Sequence, residues 1–203
     1  MLVKTLPVGQ LETNCYIVTN EKTLECVVID PGDESNTILD YLEDNRLVCK
    51  AVFLTHGHWD HVGAVKAIVE ETGAPVYLNE LDGPALTVDR RYAFLLPEST
   101  LNYGDGSELD IAGLQFTILA TPGHTRGSVT ILCENAMFSG DTLFRGSCGR
   151  TDLPGGDMDE ELSSLRRLCE LPGDYEVYPG HMDSSSLERE RAFNYYCRLA
   201  MRG

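Results

Sequence analysis

The sequence predicts one α/β domain, residues 1–203, in which two β-sheets lie between layers of helix. Short apolar runs that end at Gly, Pro or Asp are typical of buried strands, and they recur along nearly the whole chain. Helix–strand–helix units follow strand-rich stretches in both halves, which favours sheets covered by helices. The chain is long enough for one well-filled core, and no linker or shift in composition divides it.

Turn residues separate the strand-like runs and set their order along the chain. The clearest boundary is Asp30-Pro31-Gly32-Asp33, which ends one strand before a helix. The predicted strands cover residues 2–8, 15–18, 25–29, 51–54, 75–78, 108–111, 114–119, 128–132, 136–139 and 175–178.

Apolar residues at helical spacing predict four helices, and Gly73 followed by Pro75 ends the second of them. The predicted helices cover residues 34–44, 62–72, 158–170 and 184–201. Gly and Pro interrupt residues 79–106, which we interpret as a partly helical surface excursion placed where it could cover a cleft. Residues 140–157 are rich in Gly, and we expect them to be irregular.

The stretch from Thr55 to His61 carries four metal-capable side chains within six positions. They are His56, His58, Asp60 and His61. The stretch lies between the strand at 51–54 and the helix at 62–72, so these side chains gather where a strand ends and a helix begins. Imidazole and carboxylate together suit zinc, with manganese or iron as lesser candidates.

The remaining histidines and one further aspartate occur in the same local context. His124 and His181 each follow a strand-like run that ends in Pro-Gly, and Asp141 follows a run that ends in Gly140. Glycine lets the backbone turn sharply and approach a centre closely. Because this strand–Gly–ligand pattern accounts for all five histidines, it predicts a metal site.

The number of candidate ligands predicts more than one ion. Five histidines with Asp60 and Asp141 make seven groups, too many for one tetrahedral zinc. Divided between two ions with one bridging carboxylate, they leave room at each ion for a shared water. Open coordination of this kind is typical of a catalytic site.

The pattern His-x-His-x-Asp-His at 56–61, with the later His124, Asp141 and His181, resembles the metallo-β-lactamase fold superfamily over nearly the whole chain. The resemblance implies a four-layer αββα sandwich. It also implies a ligand set: His56, His58 and His124 for the first metal, Asp60, His61 and His181 for the second, and Asp141 as the bridge.

Residues 55–64 and 139–152 are most similar to the glyoxalase II (hydroxyacylglutathione hydrolase) branch. That similarity implies a dinuclear-metal hydrolase that cleaves a thioester by attack of a metal-bridging hydroxide, with Asp60 orienting the nucleophile. Zinc is the expected metal, with iron or manganese as alternatives. Two features depart from the branch. The chain ends one helix beyond His181, where the branch adds a helical domain that helps to grip glutathione, and Thr151-Asp152 replace aromatic residues.

Two arginines in the loop after Asp141 are candidates for substrate binding. Arg145 and Arg150 can hold a substrate carboxylate by bidentate pairing. Alternatively they pair with acids such as Asp152 and order the loop. The branch has a substrate-contacting basic residue at the position of Arg150, which favours binding there. We interpret Cys148, in the same loop, as a small filler rather than a reactive thiol.

Two other functions stay open. A persulfide dioxygenase has the same fold and a similar Gly-Arg-Thr-Asp element, but it binds one iron and uses oxygen. A non-catalytic metal-stabilised module would also contain such ligands, although the open coordination that seven of them imply argues against it.

Composition restricts the partners. A net charge of −16 argues against nucleic acid, including a nuclease function, because such binding needs Lys and Arg. No apolar run approaches the roughly 20 residues of a membrane span, and the amino terminus is too short and polar for a signal peptide. Seven scattered cysteines predict reduced thiols and a cytoplasmic location. The expected partner is a small-molecule thioester, and the oligomeric state is not predicted.

Overall fold

The computed structural model describes residues 1–82 and 96–202, and its two largest sheets each contain six strands. The strands of the first sheet lie side by side in chain order: β1 (Leu2–Val8), β2 (Thr13–Asn20), β3 (Glu25–Ile29), β4 (Val48–Phe53), β5 (Val76–Leu78) and β6 (Leu101–Asn102). β1, β2 and β3 are antiparallel, whereas β3 to β6 are parallel.

The second sheet is built from the later part of the chain. Its strands are β7 (Glu108–Ile111), β8 (Leu114–Ala120), β9 (Val129–Cys133), β10 (Ala136–Gly140), β13 (Glu176–Pro179) and β14 (Ser185–Ser186), and a hairpin of β11 (Leu143–Phe144) and β12 (Ser147–Cys148) follows β10. The spatial order is β14-β13-β10-β9-β8-β7. β10 and β13 are parallel, and β8 and β10 are both antiparallel to β9. β8, β10 and β13 therefore run in the same direction and end at the same edge of the sheet.

The described helices are short. They are α1 (Ser35–Asp44), α2 (Trp59–Val62), α3 (Val65–Thr72), α4 (Met158–Cys169), α5 (Leu187–Phe193) and α6 (Tyr195–Ala200), together with a 3-10 turn at Glu80–Asp82. Within the described ranges, no helix has the length and apolar character needed to cross a membrane.

Strand periodicity places the core in three apolar layers, because alternate residues of a strand face opposite sides of its sheet. In β2, Ile17 packs on the side of α1 and α3, and Val18 packs against the second sheet. In β10, Phe138 packs against the first sheet and Met137 packs on the side of α4. The layers therefore follow in the order helix, sheet, sheet, helix, and the predicted fold class is confirmed.

Two predicted helices are interrupted by contacts with distant segments. The helix predicted at 62–72 is divided into α2 and α3, where the N–H of Ala64 donates to the carbonyl oxygen of Pro31 at 2.9 Å. In place of the helix predicted at 184–201 the structure has β14, which pairs with β13, followed by α5 and α6, and Asn194, which is extended and caps α6, separates the two helices. The Asn194 amide also donates to the carbonyl oxygens of Phe144 at 3.2 Å and Ser147 at 2.8 Å.

The predicted excursion at 79–106 is only partly a surface feature. Residues 83–95 lie outside the described residues. In the remainder, Asp82 and Tyr103 are both about 2% exposed, and the Tyr103 hydroxyl donates to the carbonyl oxygen of Leu54 at 2.7 Å. Both ends of the segment are therefore packed into the fold.

Candidate metal centre

All seven predicted ligands come together in one cluster, four of them in loops just after strands and the others at the start of α2. The strands β4, β8, β10 and β13 each end a few residues before a ligand: His56, His124, Asp141 and His181 respectively. Because β8, β10 and β13 end at one edge of the second sheet, the loops that follow them converge there. The turn after β4 brings the remaining ligands to the same edge.

Three histidines form a first set, which we call the His56 group: His56, His58 and His124. One ring nitrogen from each lies within 4.8 Å of one from the others. The closest pair is His58 Nδ1 and His124 Nε2, at 2.9 Å. His56 and His124 are buried, and His58 is partly exposed. Three imidazole nitrogens at this spacing can bind one metal ion.

A second set, the His181 group, contains Asp60, His61 and His181. Asp60 Oδ2 lies 3.2 Å from His181 Nε2 and 3.6 Å from His61 Nε2. The hydroxyl of Thr13 donates to the same carboxylate oxygen at 3.2 Å. Two imidazoles and one carboxylate are also a common metal-binding set.

Asp141 lies between the two groups. Its Oδ1 is 3.4 Å from His61 Nε2, and its Oδ2 is 3.5 Å from His124 Nε2 and 3.6 Å from His181 Nε2. Burial opposes ionisation of Asp141, but His61 and His124 outweigh it and lower the pKa of the carboxyl. One carboxylate therefore faces both groups in its charged form.

Asp30, at the end of β3, fixes the ligand turn. Its Oδ1 accepts the N–H of Thr55 at 2.7 Å, and its Oδ2 accepts the Thr55 hydroxyl at 2.6 Å and the Nδ1–H of His61 at 3.0 Å. Because the Thr55 hydroxyl gives its proton to Asp30, His56 Nδ1, which lies 3.1 Å from Thr55 Oγ1, must be the donor in that contact. In their neutral forms, His56 and His61 would therefore both present the lone pair of Nε2 to the centre.

Backbone carbonyl oxygens orient two further rings in the same way. His124 Nδ1 donates to the carbonyl oxygen of Arg150 at 2.7 Å, and His181 Nδ1 donates to that of Leu11 at 3.1 Å. In a neutral ring, a hydrogen bond donated by Nδ1 leaves the lone pair on Nε2, which is the usual arrangement behind a metal-binding imidazole. Four of the five histidines thus share one orientation.

The pKa shifts of three ligands suit metal binding, whereas at His61 and His181 burial is outweighed by neighbouring carboxylates, which raise the pKa, so that a metal ion would displace a proton from those two rings. Burial, followed by the neighbouring His124, lowers the pKa of His58 to about 4, and burial with His61 holds the pKa of His56 well below its usual value. Burial alone would raise the pKa of Asp60, but His181 and His61 outweigh it and hold that pKa below its usual range. Neutral imidazole and ionised carboxylate are the forms that bind metal.

Three buried atoms at the centre support the presence of a cation. His56 Nε2, His61 Nε2 and Asp141 Oδ1 are buried, and none has a hydrogen-bond partner among the described residues. Buried polar atoms in native proteins nearly always have a partner. All three offer a lone pair to the same region, so a divalent metal ion would satisfy them together. The donor set of imidazoles and carboxylates fits zinc or iron and does not distinguish between them.

The two candidate substrate-binding arginines are paired with carboxylates. Arg145 Nη1 lies 3.0 Å from Asp183 Oδ2. Arg150 donates to both oxygens of Asp152, at 2.7 and 2.8 Å, and both of those side chains are mostly exposed. Each arginine could therefore reach a substrate only by giving up an exposed ion pair.

Sequence reasoning missed several residues that hold the ligands. The sequence indicates Asp30 only as part of a turn, and Asp82 lies in a segment where Gly and Pro interrupt every periodic pattern. A buried acid at a strand end would have been the one available signal for Asp30. Glu161 of α4 is a further buried acid that the sequence does not indicate, and its carboxylate faces the backbone N–H groups of His124 and Gly149.

A cavity of about 350 Å³ opens beside the loop that follows His181. Residues of β1 and β2 form one wall, and Met182, Asp183 and Ser184 form another. Glu12 and Asp183 make its lining acidic. The cavity is large enough to hold part of a small molecule, and none of the seven ligands lines it.

Comparisons with known proteins agree with this geometry. The family model of the metallo-beta-lactamase superfamily matches residues 8–181. An uncharacterized protein of Aquifex aeolicus (strain VF5) is 37% identical over 213 residues, which cover 100% of both chains. The hydroxyacylglutathione hydrolase GloC of Haemophilus influenzae is 31% identical over 214 residues, covering 96% of this chain and 97% of GloC.

Solved structures are similar over almost the full length. TTHA1623, crystallised in a di-iron-bound form, has a TM-score of 0.83 and 38% identity, covering 96% of this chain and 100% of that one. ETHE1 from Myxococcus xanthus has a TM-score of 0.83 and 29% identity, covering 99% of this chain and 90% of that one. With its two-sheet fold, its clustered ligands and these matches, the chain belongs to the metallo-beta-lactamase superfamily, whose members are generally metal-dependent hydrolases.

Proposed function

We propose that the protein is a metal-dependent hydrolase that cleaves a thioester of the hydroxyacylglutathione type. The observation that carries the proposal is the position of Asp141, whose carboxylate lies within 3.6 Å of ring nitrogens from both groups. A carboxylate shared in this way suits two ions rather than one. GloC, which matches this chain over 97% of its own length, is named for this reaction.

The ligand assignment follows the two groups. The His56 group would hold one ion, the His181 group would hold the other, and Asp141 would bridge them. Two divalent ions, zinc first and iron or manganese as alternatives, would supply Lewis acidity and a water of lowered pKa.

Asp60 has a second task that its surroundings support. Its carboxylate stays ionised and accepts a hydrogen bond from Thr13, which fixes its orientation. An ionised, oriented oxygen can accept a hydrogen bond from the attacking water and hold that water in line with the carbonyl carbon. Asp60 is therefore the residue to which we assign nucleophile orientation.

Substrate binding by Arg150 and Arg145 is a further part of the proposal. A carboxylate on the substrate would replace Asp152 beside Arg150 or Asp183 beside Arg145. Both arginines lie in the loop that follows Asp141, so such contacts would direct the rest of the substrate toward the ligands.

The direct test is hydrolysis of S-D-lactoylglutathione and simpler thioesters by purified protein, with metal content and oxygen uptake measured in parallel. We expect metal-dependent hydrolysis, two metal ions per chain and no oxygen consumption. Asp60→Ala should lower kcat by about 10²-fold or more while the circular dichroism spectrum stays unchanged. Near-normal turnover of that variant would exclude Asp60 from the reaction.

A second candidate is a mononuclear-iron persulfide dioxygenase, which the likeness to ETHE1 favours. One iron per chain, together with oxygen uptake on a glutathione persulfide and failure to hydrolyse thioesters, would establish it instead. A folded protein that binds metal but turns over neither substrate would favour a non-catalytic module.

The cellular setting follows from the same proposal. All seven cysteines are buried and unpaired in the structure, in keeping with reduced thiols. A cytoplasmic location, a small-molecule substrate and the lack of nucleic-acid and membrane partners remain predictions. They can be checked by cell fractionation and binding assays.

A further inference from the structure

The carboxylate of Asp82 joins the two chain segments that supply the His56 group. Its Oδ2 accepts the N–H of Gly57 at 3.1 Å, and Gly57 lies between His56 and His58. Its Oδ1 accepts the N–H of Gly127 at 2.7 Å, three residues after His124. One side chain therefore bonds to both loops at their backbones.

The hydroxyl groups of Thr125 and Ser128 add further hydrogen bonds to the contact between Asp82 and the loop after His124. The Thr125 hydroxyl donates to Asp82 Oδ2 at 2.6 Å. Because the Thr125 proton is used there, Ser128 must donate to Thr125 Oγ1, which lies 2.7 Å from Ser128 Oγ. The N–H of Thr125 in turn donates to Ser128 Oγ at 3.2 Å. The loop directly after His124 is thus tied to Asp82 by side chain as well as by backbone.

The space around Asp82 permits little adjustment. Asp82 is 2% exposed, and a Cβ placed at Gly127 would lie 2.6 Å from Asp82 Cγ and Oδ1. Three donors on a buried carboxylate give a rigid connection, since hydrogen bonds to charged groups are short and strong. A change of about 1 Å at either loop would alter the 2.9 Å separation between His58 Nδ1 and His124 Nε2.

The His181 group is held by other residues. His61 is fixed by Asp30, Asp60 by Thr13 and His181 by the carbonyl oxygen of Leu11. No hydrogen bond between Asp82 and these ligands or their supports is found among the described residues. Asp30 reaches His61 directly and His56 through Thr55, so it supports both groups, whereas Asp82 bonds only to the loops that carry the His56 group.

We propose that Asp82 is a positioning residue that sets the metal affinity of the His56 group alone. The inference rests on the proposed function, because it concerns metal ions bound at these ligands. Residues that orient metal ligands typically contribute about 10- to 100-fold to metal affinity. Asp82 makes no contact with the reacting atoms in this role. It acts through the spacing of His56, His58 and His124.

The test uses chains in which only one group remains. His181→Ala disrupts the His181 group, and His58→Ala disrupts the His56 group. Zinc affinity is measured by competition with a chromophoric chelator, using the metal alone. We expect Asp82→Asn to weaken zinc binding about 10- to 100-fold in the His181→Ala chain and to leave it unchanged in the His58→Ala chain. When Asp82→Asn is the only substitution, the zinc affinity of one of the two bound ions should fall and that of the other should stay unchanged.

Glu80→Gln is the matched control, because it removes the same charge from an exposed position of the same 3-10 turn. It should leave zinc affinity unchanged in both chains. Thr125→Val serves if Asp82→Asn fails to fold, since it removes one of the three donors and keeps the carboxylate. Thr125→Val should lower the zinc affinity of the His56 group less than Asp82→Asn does, and it should leave the zinc affinity of the His181 group unchanged.

The outcomes separate this inference from the proposed function. If Asp82→Asn lowers the zinc affinity of both groups equally, Asp82 only stabilises the fold. If the zinc affinity of both groups is unchanged, Asp82 does not set the spacing of the three histidines. Either result overturns the inference and leaves the metal centre in place. A native chain that binds no zinc, iron or manganese would instead overturn the proposed function, and the inference with it.

Discussion

Asp30 Oδ2 lies 3.0 Å from His61 Nδ1, and both side chains are buried almost completely. This contact determines which nitrogen of His61 faces the metal centre. With the proton on Nδ1 directed at Asp30, Nε2 is left 3.4 Å from Asp141 Oδ1. A carboxylate behind a ligating imidazole fixes its orientation and raises its basicity. Burial alone would lower the pKa of His61, but Asp141 and Asp30 raise it well above its usual value.

Asp30→Ala should therefore impair both stability and metal binding. The change leaves the N–H and hydroxyl of Thr55 and the Nδ1–H of His61 without their acceptor, at a cost of about 3 kcal/mol or more. Metal affinity should fall about 10- to 100-fold. Urea denaturation and chelator competition measure the two effects. Asp33→Asn, exposed in the same turn, should change stability by no more than about 0.5 kcal/mol, and a similar effect of both substitutions would contradict the role of Asp30.

The substitution Gly180→Ala should displace the carboxylate of Asp141 from its position between the two groups. A Cβ at Gly180 would lie 2.1 Å from Asp141 Oδ1 and 2.7 Å from His61 Cε1, well inside van der Waals contact. We expect loss of at least one bound metal and of thioester hydrolysis, measured by metal analysis and turnover. Gly104→Ala is the matched control, because its nearest atom, Asn79 Nδ2, is at an acceptable 3.5 Å. Normal metal content in Gly180→Ala would show that Asp141 can shift without consequence.

The sequence predicts the ligands and not their supports, for a physical reason. His124, Asp141 and His181 are recognisable because each follows an apolar run and a glycine, a pattern contained in a few consecutive residues. Asp82 meets Thr125 and Gly127 across 43 and 45 positions, and such contacts depend on how strands pack. The division of the last predicted helix has the same origin, since Asn194 reaches carbonyl groups 47 and 50 residues earlier.

Arg150 and Asp152 should have opposite effects on substrate binding. If Arg150 binds a substrate carboxylate, Arg150→Ala raises KM several-fold for thioesters that carry the carboxylate and leaves KM unchanged for those that lack it. Asp152→Ala should lower KM for the first kind of substrate, because it releases Arg150 from its exposed ion pair. Arg145→Ala, compared in the same assay, tests the second arginine. Equal changes of KM for both kinds of thioester would contradict carboxylate binding.

Cys148 should be unreactive in the folded protein. Burial, with a smaller contribution from Glu161, raises the pKa of the Cys148 thiol to about 12. At pH 8 only about 10⁻⁴ of it would be thiolate, the form that reacts. Brief alkylation followed by peptide mass spectrometry should therefore leave Cys148 unmodified until the protein is denatured. Turnover by Cys148→Ala should stay close to that of the native chain, and a large loss would give the thiol a role beyond filling space.

Glu161 should make the stability of the metal-free protein depend on pH. Burial raises the pKa of its carboxyl to about 9, although the backbone N–H groups of His124 and Gly149 oppose the shift. The folded chain therefore keeps a proton that the unfolded chain loses near pH 4.5. This contribution to stability is complete below about pH 4.5 and is lost as the pH rises to about 9, by up to about 1.4 kcal/mol per pH unit.

The Glu161→Gln variant cannot ionise at this position, so its stability lacks this dependence on pH. Its free energy of unfolding, measured in urea from pH 5 to 9, should rise steadily relative to the native chain. Glu160→Gln, at an exposed position next to it, should show a constant difference. Parallel pH profiles for the native chain and Glu161→Gln would mean that the carboxyl is ionised in the folded protein and that its charge is stabilised by the two facing N–H groups.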